Sequence, residues 1–119
     1  MGLPNATHQA SATAVKNIGA YISLHTDAGS TQITGSDEAA GITRKQTTWN
    51  AGAWNSGLGR FVYTGSEVNI PVAAGTIKGG GIWSAVSSGT FAGSDRFAGG
   101  DVIVAGTNGS IDVTPTVMG

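Results

Sequence analysis

From Ala20 onward, apolar and polar residues alternate with a period of two, the spacing of half-buried β-strands. Ala20-Tyr21-Ile22-Ser23-Leu24-His25-Thr26 places Ile22 and Leu24 on one face and Tyr21, Ser23 and His25 on the other. Ile42–Trp49 reads as a strand of Thr, Arg, Lys and Gln ending in an aromatic, and Arg60–Thr64 as a short strand. Glu67–Val72 alternates strictly with Val68, Ile70 and Val72 inward; Pro71 cannot donate to a ladder and marks an edge, a bulge or a strand end. Ile82–Ala85 and Thr90–Gly93 follow, the latter with a bulge expected. Asp101-Val102-Ile103-Val104 is apolar on both faces, which predicts a central strand. Ser110–Val117 alternates again, with Ile111, Val113 and Val117 on one face. Turns are predicted at Thr64-Gly65-Ser66, Ala74-Gly75-Thr76 and Ser87-Ser88-Gly89. Gly106-Thr107-Asn108-Gly109 predicts a hairpin, since Asn-Gly supplies the positive φ of a tight primed turn. Residues 27–41 and 50–59 read as loops. Before Ala20 the pattern is different: an alanine-rich stretch with Ala14, Val15 and Ile18 on one face predicts a short helix over 8–20, capped by Thr7 and ended by Gly19.

Short strands with turn signals about every ten residues predict an all-β fold. The expected architecture is a single β-sandwich or jelly-roll-like domain of about eight short antiparallel strands, with one short N-terminal helix. A chain of 119 residues is one domain's worth. Residues 1–14 are read as an N-terminal arm or the start of the helix, and 15–119 as the sandwich. Ala-Gly-Thr recurs at 74–76 and 105–107, and Thr-Gly-Ser at 34–36 and 64–66, but at no fixed period, so a solenoid is not expected.

Composition narrows the functional classes. Six basic and seven acidic residues leave a formal net charge of −1, with no basic surplus to neutralise a phosphate backbone, so nucleic-acid binding is not expected. No apolar stretch approaches the ~18 residues of a membrane span. Cysteine is absent, which removes disulfides, thiol catalysis and zinc–thiolate sites. The first residues lack a basic region followed by an apolar one, so export by the standard route is not expected, and Ala6 stands where a myristoylation motif needs Ser or Thr. Only 11% of residues are charged, which leaves little with which to build an active site and much with which to build a β scaffold.

The candidate chemistry is correspondingly sparse. His25-Thr26-Asp27 puts an imidazole near a carboxylate, as a general base with its orienting acid would, but the two align only if the strand stays extended. His8 is the second histidine, and no spacing joins the pair into a metal site. Gly79-Gly80-Gly81 lacks the Lys-Ser/Thr and helix of a phosphate cradle. Asp27, Asp37 and Glu38 are the carboxylates a calcium loop would draw on; Asp37, Glu38 and Glu67 are those a glycosidase would need. No Gly-x-Ser-x-Gly elbow is present. These signals predict no catalytic residue, no cofactor and no metal. Trp54, in a glycine-rich loop, is the aromatic placed for an exposed contact, including one with a glycan. Trp49, Trp54, Trp83, Tyr21 and His25 are the candidate interface residues, because low charge and several large aromatics suit a surface that meets other subunits.

Four blocks in order resemble a family of small tailed-bacteriophage virion proteins, described as tail fibre-like, minor tail or capsid decoration proteins. Tyr21-Ile-Ser-Leu-His-Thr26 followed by Asp27-Ala-Gly29 is similar to that family's opening strand, which ends in Leu-His-Thr and Pro-Gly. Glu38, Gly41 and Thr43-Arg44-Lys45-Gln46-Thr47-Thr48-Trp49 resemble its Glu…Gly-Gly…Arg…Trp stretch. Asn69–Thr76 resembles its Val-Pro-Ala-Gly-Thr turn, and Gly81-Ile82-Trp83-Ser84-Ala85 with Gly89-Thr90-Phe91 its Gly-Leu-Trp-Ser-Ala…Gly-Thr-Phe hairpin. The blocks span residues 15–117. The proline before Gly29 and the aromatic before Arg44 are missing, and the 50–59 loop is particular to this chain. The resemblance implies a non-enzymatic virion protein, made in the host cytoplasm and assembled on the particle. Its implied partners are the major capsid protein, as a decoration (cement) subunit, or tail proteins as the alternative. It also implies self-association into a trimer or other closed oligomer, because symmetric sites select symmetric ligands.

Overall fold

The computed structural model describes residues 2–27 and 34–119; residues 28–33 of the expected 27–41 loop lie outside them. One helix, α1 (Asn5–Lys16), precedes strands β1 (Tyr21–His25), β2 (Lys45–Gln46), β3 (Ala53–Asn55), β4 (Arg60–Thr64), β5 (Val68–Val72), β6 (Gly75–Ile77), β7 (Gly79–Trp83), β8 (Phe91–Arg96), β9 (Val102–Val104), β10 (Gly109–Val113) and β11 (Thr116–Met118). The all-β, sandwich-like fold expected from the alternation is present, with its one short helix at the N-terminal end.

Its backbone is a long antiparallel ribbon. One arm runs through β5, β6 and β7, turns at 84–90, and returns through β8, β9 and β10. The registers follow each other down the ribbon: Trp83 opposite Phe91, Gly79 opposite Arg96, Ile77 opposite Val102, Gly75 opposite Val104, Val72 opposite Gly109 and Val68 opposite Val113. Extra residues at 97–101 and 105–108 interrupt the returning arm, and the ribbon divides there into three paired segments. β1 pairs with the free side of β7, and β2 with β1, giving the four-stranded order β2-β1-β7-β8. β11-β4-β3 forms a second sheet, on which α1 lies.

Ile22, Leu24, Val68, Ile70, Val72, Ile77, Val104 and Ile111 fill the main core, contributed by β1 and by β5, β6, β9 and β10 of the two arms of the ribbon. A smaller cluster of Ala12, Tyr63 and Val117 seats the helix. There Thr13 Oγ1 and the Tyr63 hydroxyl share a 2.8 Å hydrogen bond and the Lys16 ammonium lies 5.0 Å from the Tyr63 ring centre. The expected inward set Val68, Ile70, Val72 is buried, Pro71 is exposed, and the expected bulge occurs where Ala92 interrupts the β7–β8 register.

Several expectations are corrected. The helix is Asn5–Lys16 and not 8–20. Pro4, in extended conformation, occupies the cap position given to Thr7, and Asn17 ends the helix where Gly19 was expected to. Gly19 serves another purpose: a Cβ there would run into the Trp83 carbonyl. The Ile42–Trp49 strand shrinks to Lys45–Gln46 with an isolated bridge from Trp49 to Gly65, because Arg44 turns its side chain inward. The 50–59 loop contains β3, set between Gly52 and Gly59, whose φ values of 78° and 63° form the bends. Ala74-Gly75-Thr76 is the entry to β6 rather than a turn. β9 is not central. Among the described residues only β6 pairs with it, and Ile103 is 79% exposed. The Asn108-Gly109 hairpin is absent, since β9 and β10 pair with β6 and β5 and not with each other; the positive φ falls at Gly106.

Candidate functional site

The densest polar chemistry lies on β1, where both faces are buried. Leu24 and Ile22 face the main core as expected, but Ser23 and His25 are equally enclosed. Space for them comes from the neighbouring strand. Gly81 stands directly opposite Ser23, and a Cβ at that position would collide with His25 Nε2 and the Ser23 hydroxyl. The glycine run 79–81 therefore admits an imidazole and is not an anion cradle.

Four side chains then form a chain of three hydrogen bonds. Trp83 Nε1–H, which can only donate, lies 3.0 Å from Ser23 Oγ. Ser23 Oγ accepts that bond, so its own proton is free to go to His25 Nε2, 2.6 Å away. Nε2 is then the unprotonated nitrogen, and Nδ1–H donates to Asp37 Oδ1 at 3.0 Å. The Asp27 backbone N–H donates to the other carboxylate oxygen at 3.1 Å. Every member of the relay is satisfied by a neutral imidazole in one tautomer. Burial raises the Asp37 pKa, but the hydrogen bonds from His25 and the Asp27 N–H outweigh it and hold the carboxyl below its ordinary value.

A second group adjoins the first. Arg44, only 7% exposed, forms a two-pronged pair with Glu38, Nε to Oε2 at 2.7 Å and Nη2 to Oε1 at 2.9 Å. Its Nη1 donates to the Ala85 and Ser88 carbonyls at 3.0 and 2.7 Å, and its guanidinium lies 3.8 Å from the Trp83 ring centre. Ser88 presents its carbonyl from a left-handed conformation, φ 56°. Trp83 also packs against Phe91, with ring centres 4.9 Å apart. One tryptophan thus joins the Ser-His-Asp relay to the Arg-Glu pair, and together they tie the 34–44 segment and the 84–90 turn to the four-stranded sheet.

The order Ser–His–Asp is that of a hydrolase triad, yet its chemistry is closed. Ser23 and His25 have no solvent exposure, and the serine oxygen already accepts an indole N–H. A substrate carbonyl has no path to the hydroxyl. The arrangement fixes a shape.

The expected histidine partner Asp27 is replaced by Asp37. The Asp27 carboxylate instead lies 3.9 Å from Arg96 at the surface. Asp37 and Glu38 are both engaged, by His25 and Arg44, and so are not free to share a cation. Among the described residues no group of three or more His, Asp or Glu is placed to hold a metal. Of the candidate interface residues, Trp83 and His25 are interior and out of a partner's reach. Trp49 is half-buried, donating to the Gly19 carbonyl at 3.2 Å, and Tyr21 is half-buried opposite Gln46 and Trp83. Trp54 sits on β3 rather than in a loop, half-buried with its ring 5.5 Å from that of His8, which also bonds the Gly119 carbonyl. Sequence reasoning missed Ser23 and Arg44 as functional members of one cluster.

No protein-family model matches the chain, and neither a curated protein nor a solved structure does.

Proposed function

We propose that the chain is a non-enzymatic structural subunit of a tailed-bacteriophage particle, bound to the exterior of the assembled head as a decoration (cement) protein. One observation carries the reading. Residues from three of the four blocks that resemble the phage virion family — His25, then Glu38 and Arg44, then Gly81, Trp83 and Phe91 — converge on a single buried cluster. Blocks far apart in the chain that share one spatial purpose support a likeness of architecture. That purpose is to brace loops on a sheet, as a rigid wedge between other subunits requires.

The mechanism is linkage. A subunit that binds only the expanded lattice stabilises that lattice by RT ln(1 + [L]/Kd), about 2.7 kcal/mol per site at a hundredfold excess over Kd. The major capsid protein is the partner in this reading, and the virion the location. The test is add-back: purified protein is titrated onto heads stripped of it, and the temperature of genome release is measured. Saturable binding with a raised release temperature is expected. Binding that is absent, or that leaves the temperature unchanged, overturns the cement role.

A further inference from the structure

The fold leaves Asn108-Gly109 without the use that its sequence predicts. The hairpin is absent, and neither residue takes a positive φ, which falls at Gly106. Gly109 is explained by packing, because a Cβ there would run into the Val104 side chain. Asn108 has no such role. It is exposed in the turn just before β10, and among the described residues no hydrogen bond holds its side chain.

The other five asparagines differ. Asn50 Oδ1 accepts from the Gly52 and Thr64 amides, both at 3.0 Å. Asn55 Oδ1 accepts from the Leu58 amide at 3.0 Å. Asn69 Nδ2 donates to Ser110 Oγ at 2.9 Å and to Asp112 Oδ1 at 2.7 Å. Asn5 opens α1 and Asn17 ends it. Each of the five is followed by a residue with a side chain: Ala6, Ile18, Ala51, Ser56 and Ile70. That side chain crowds the backbone nitrogen next to the asparagine, whereas glycine leaves it open to close approach. Asn108 combines a free carboxamide with an unshielded neighbouring nitrogen.

We propose that Asn108 is a self-modification site, converting spontaneously to isoaspartate and aspartate. The Gly109 amide nitrogen gives up its proton and attacks Asn108 Cγ. The new N–C bond closes a cyclic imide, the Cγ–Nδ2 bond breaks, and ammonia leaves carrying the proton. Water, the co-reactant, then adds to one of the two imide carbonyls and opens the ring. Opening at the side-chain carbonyl gives aspartate. Opening at the backbone carbonyl leaves the main chain running through Cγ, which is isoaspartate. Nothing is oxidised or reduced. Two changes result. In isoaspartate one methylene enters the backbone just before β10, where Gly109 begins its pairing opposite Val72. In either product a carboxylate appears within residues 102–111, which hold no charge, and adds one negative charge to a formal net charge of −1. β9 has no charge of its own and Ile103 is 79% exposed, so the product sets on the link from β9 to β10 the kind of charge that guards natural edges. This goes beyond the virion reading and does not depend on it.

Trypsin releases residues 97–119 as one peptide, in which Asn108 is the sole asparagine and glutamine is absent. Purified folded protein is held at mildly alkaline pH, beside the same chain unfolded in urea and a folded Asn108→Ser variant, and each is sampled over time by peptide mass spectrometry. The expected result is a gain of about one dalton in that peptide, as –NH2 becomes –OH. In the folded chain it should appear about tenfold faster than at any other asparagine. Fragmentation should find isoaspartate at 108, and ion exchange of the intact protein a more acidic species that Asn108→Ser does not form. Conversion of Asn108 in the unfolded chain alone would mean that the fold withholds the Gly109 nitrogen, and overturns the proposal. So does conversion of another asparagine first, or of none.

Discussion

Ser23→Ala is the sharpest probe of the buried relay. It removes one oxygen and leaves almost no cavity, so packing loss is small. It strands two groups, however. Trp83 Nε1–H loses its acceptor and His25 Nε2 its donor, in a site with no solvent exposure at Ser23 or His25. Each unsatisfied buried group costs about 1–3 kcal/mol, so the loss from two is expected at about 2–6 kcal/mol. A domain of this size is stable by roughly 6–18 kcal/mol, so the variant still folds and can be measured. The assay is urea denaturation followed by tryptophan fluorescence, with the slope unchanged if the transition stays two-state. A double-mutant cycle separates the indole bond from the rest: in a Trp83→Phe background the serine has one partner fewer, and Ser23→Ala costs about 1–2 kcal/mol less. A Ser23→Ala variant within about 0.5 kcal/mol of wild type, or a cycle with no coupling, refutes the donor–acceptor reasoning.

Other consequences follow from the same geometry. Asp37 has a folded pKa below its unfolded value of 3.8, so its contribution is present in full above that value and is lost as pH falls towards the folded one. Stability measured from pH 6 to pH 2 should fall more steeply at the acid end for wild type than for Asp37→Asn; equal slopes count against the His25–Asp37 bond. Arg44→Met leaves Glu38 unpaired and two carbonyls without donors, and is expected to destabilise by about 3–5 kcal/mol by thermal or urea unfolding. Ile70→Ala, at the centre of the main core, is expected to cost about 2–5 kcal/mol by the same measurement.

How far the fold was legible depends on which interactions set each part. Period-two alternation marked β1, β5 and β10, because a buried face dictates that spacing. Val102–Val104 misled: a run apolar on both faces reads as central, whereas here the strand pairs on one side among the described residues and Ile103 points outward. Ser23 and His25 read as outward-facing because alternation reports one covered face, and the 34–44 segment and Phe91 cover the other. The glycines opposite them on β7 were the available signal, since a strand bare of side chains makes room for large ones. The pairing of His25 with Asp37 rather than Asp27 was not legible, being set by the path of a loop. Glu38 was visible as a candidate carboxylate and Arg44 only within a strand and a resemblance; their pairing was not legible.

The proposed decoration role places this chain on the exterior of a phage head. Quantitative mass spectrometry of purified virions, referenced to the major capsid protein, tests it directly. A decoration subunit is expected at a copy number equal to that of the capsid protein or a simple fraction of it. A handful of copies per particle would assign the chain to the tail, and its absence from the virion would contradict the account altogether.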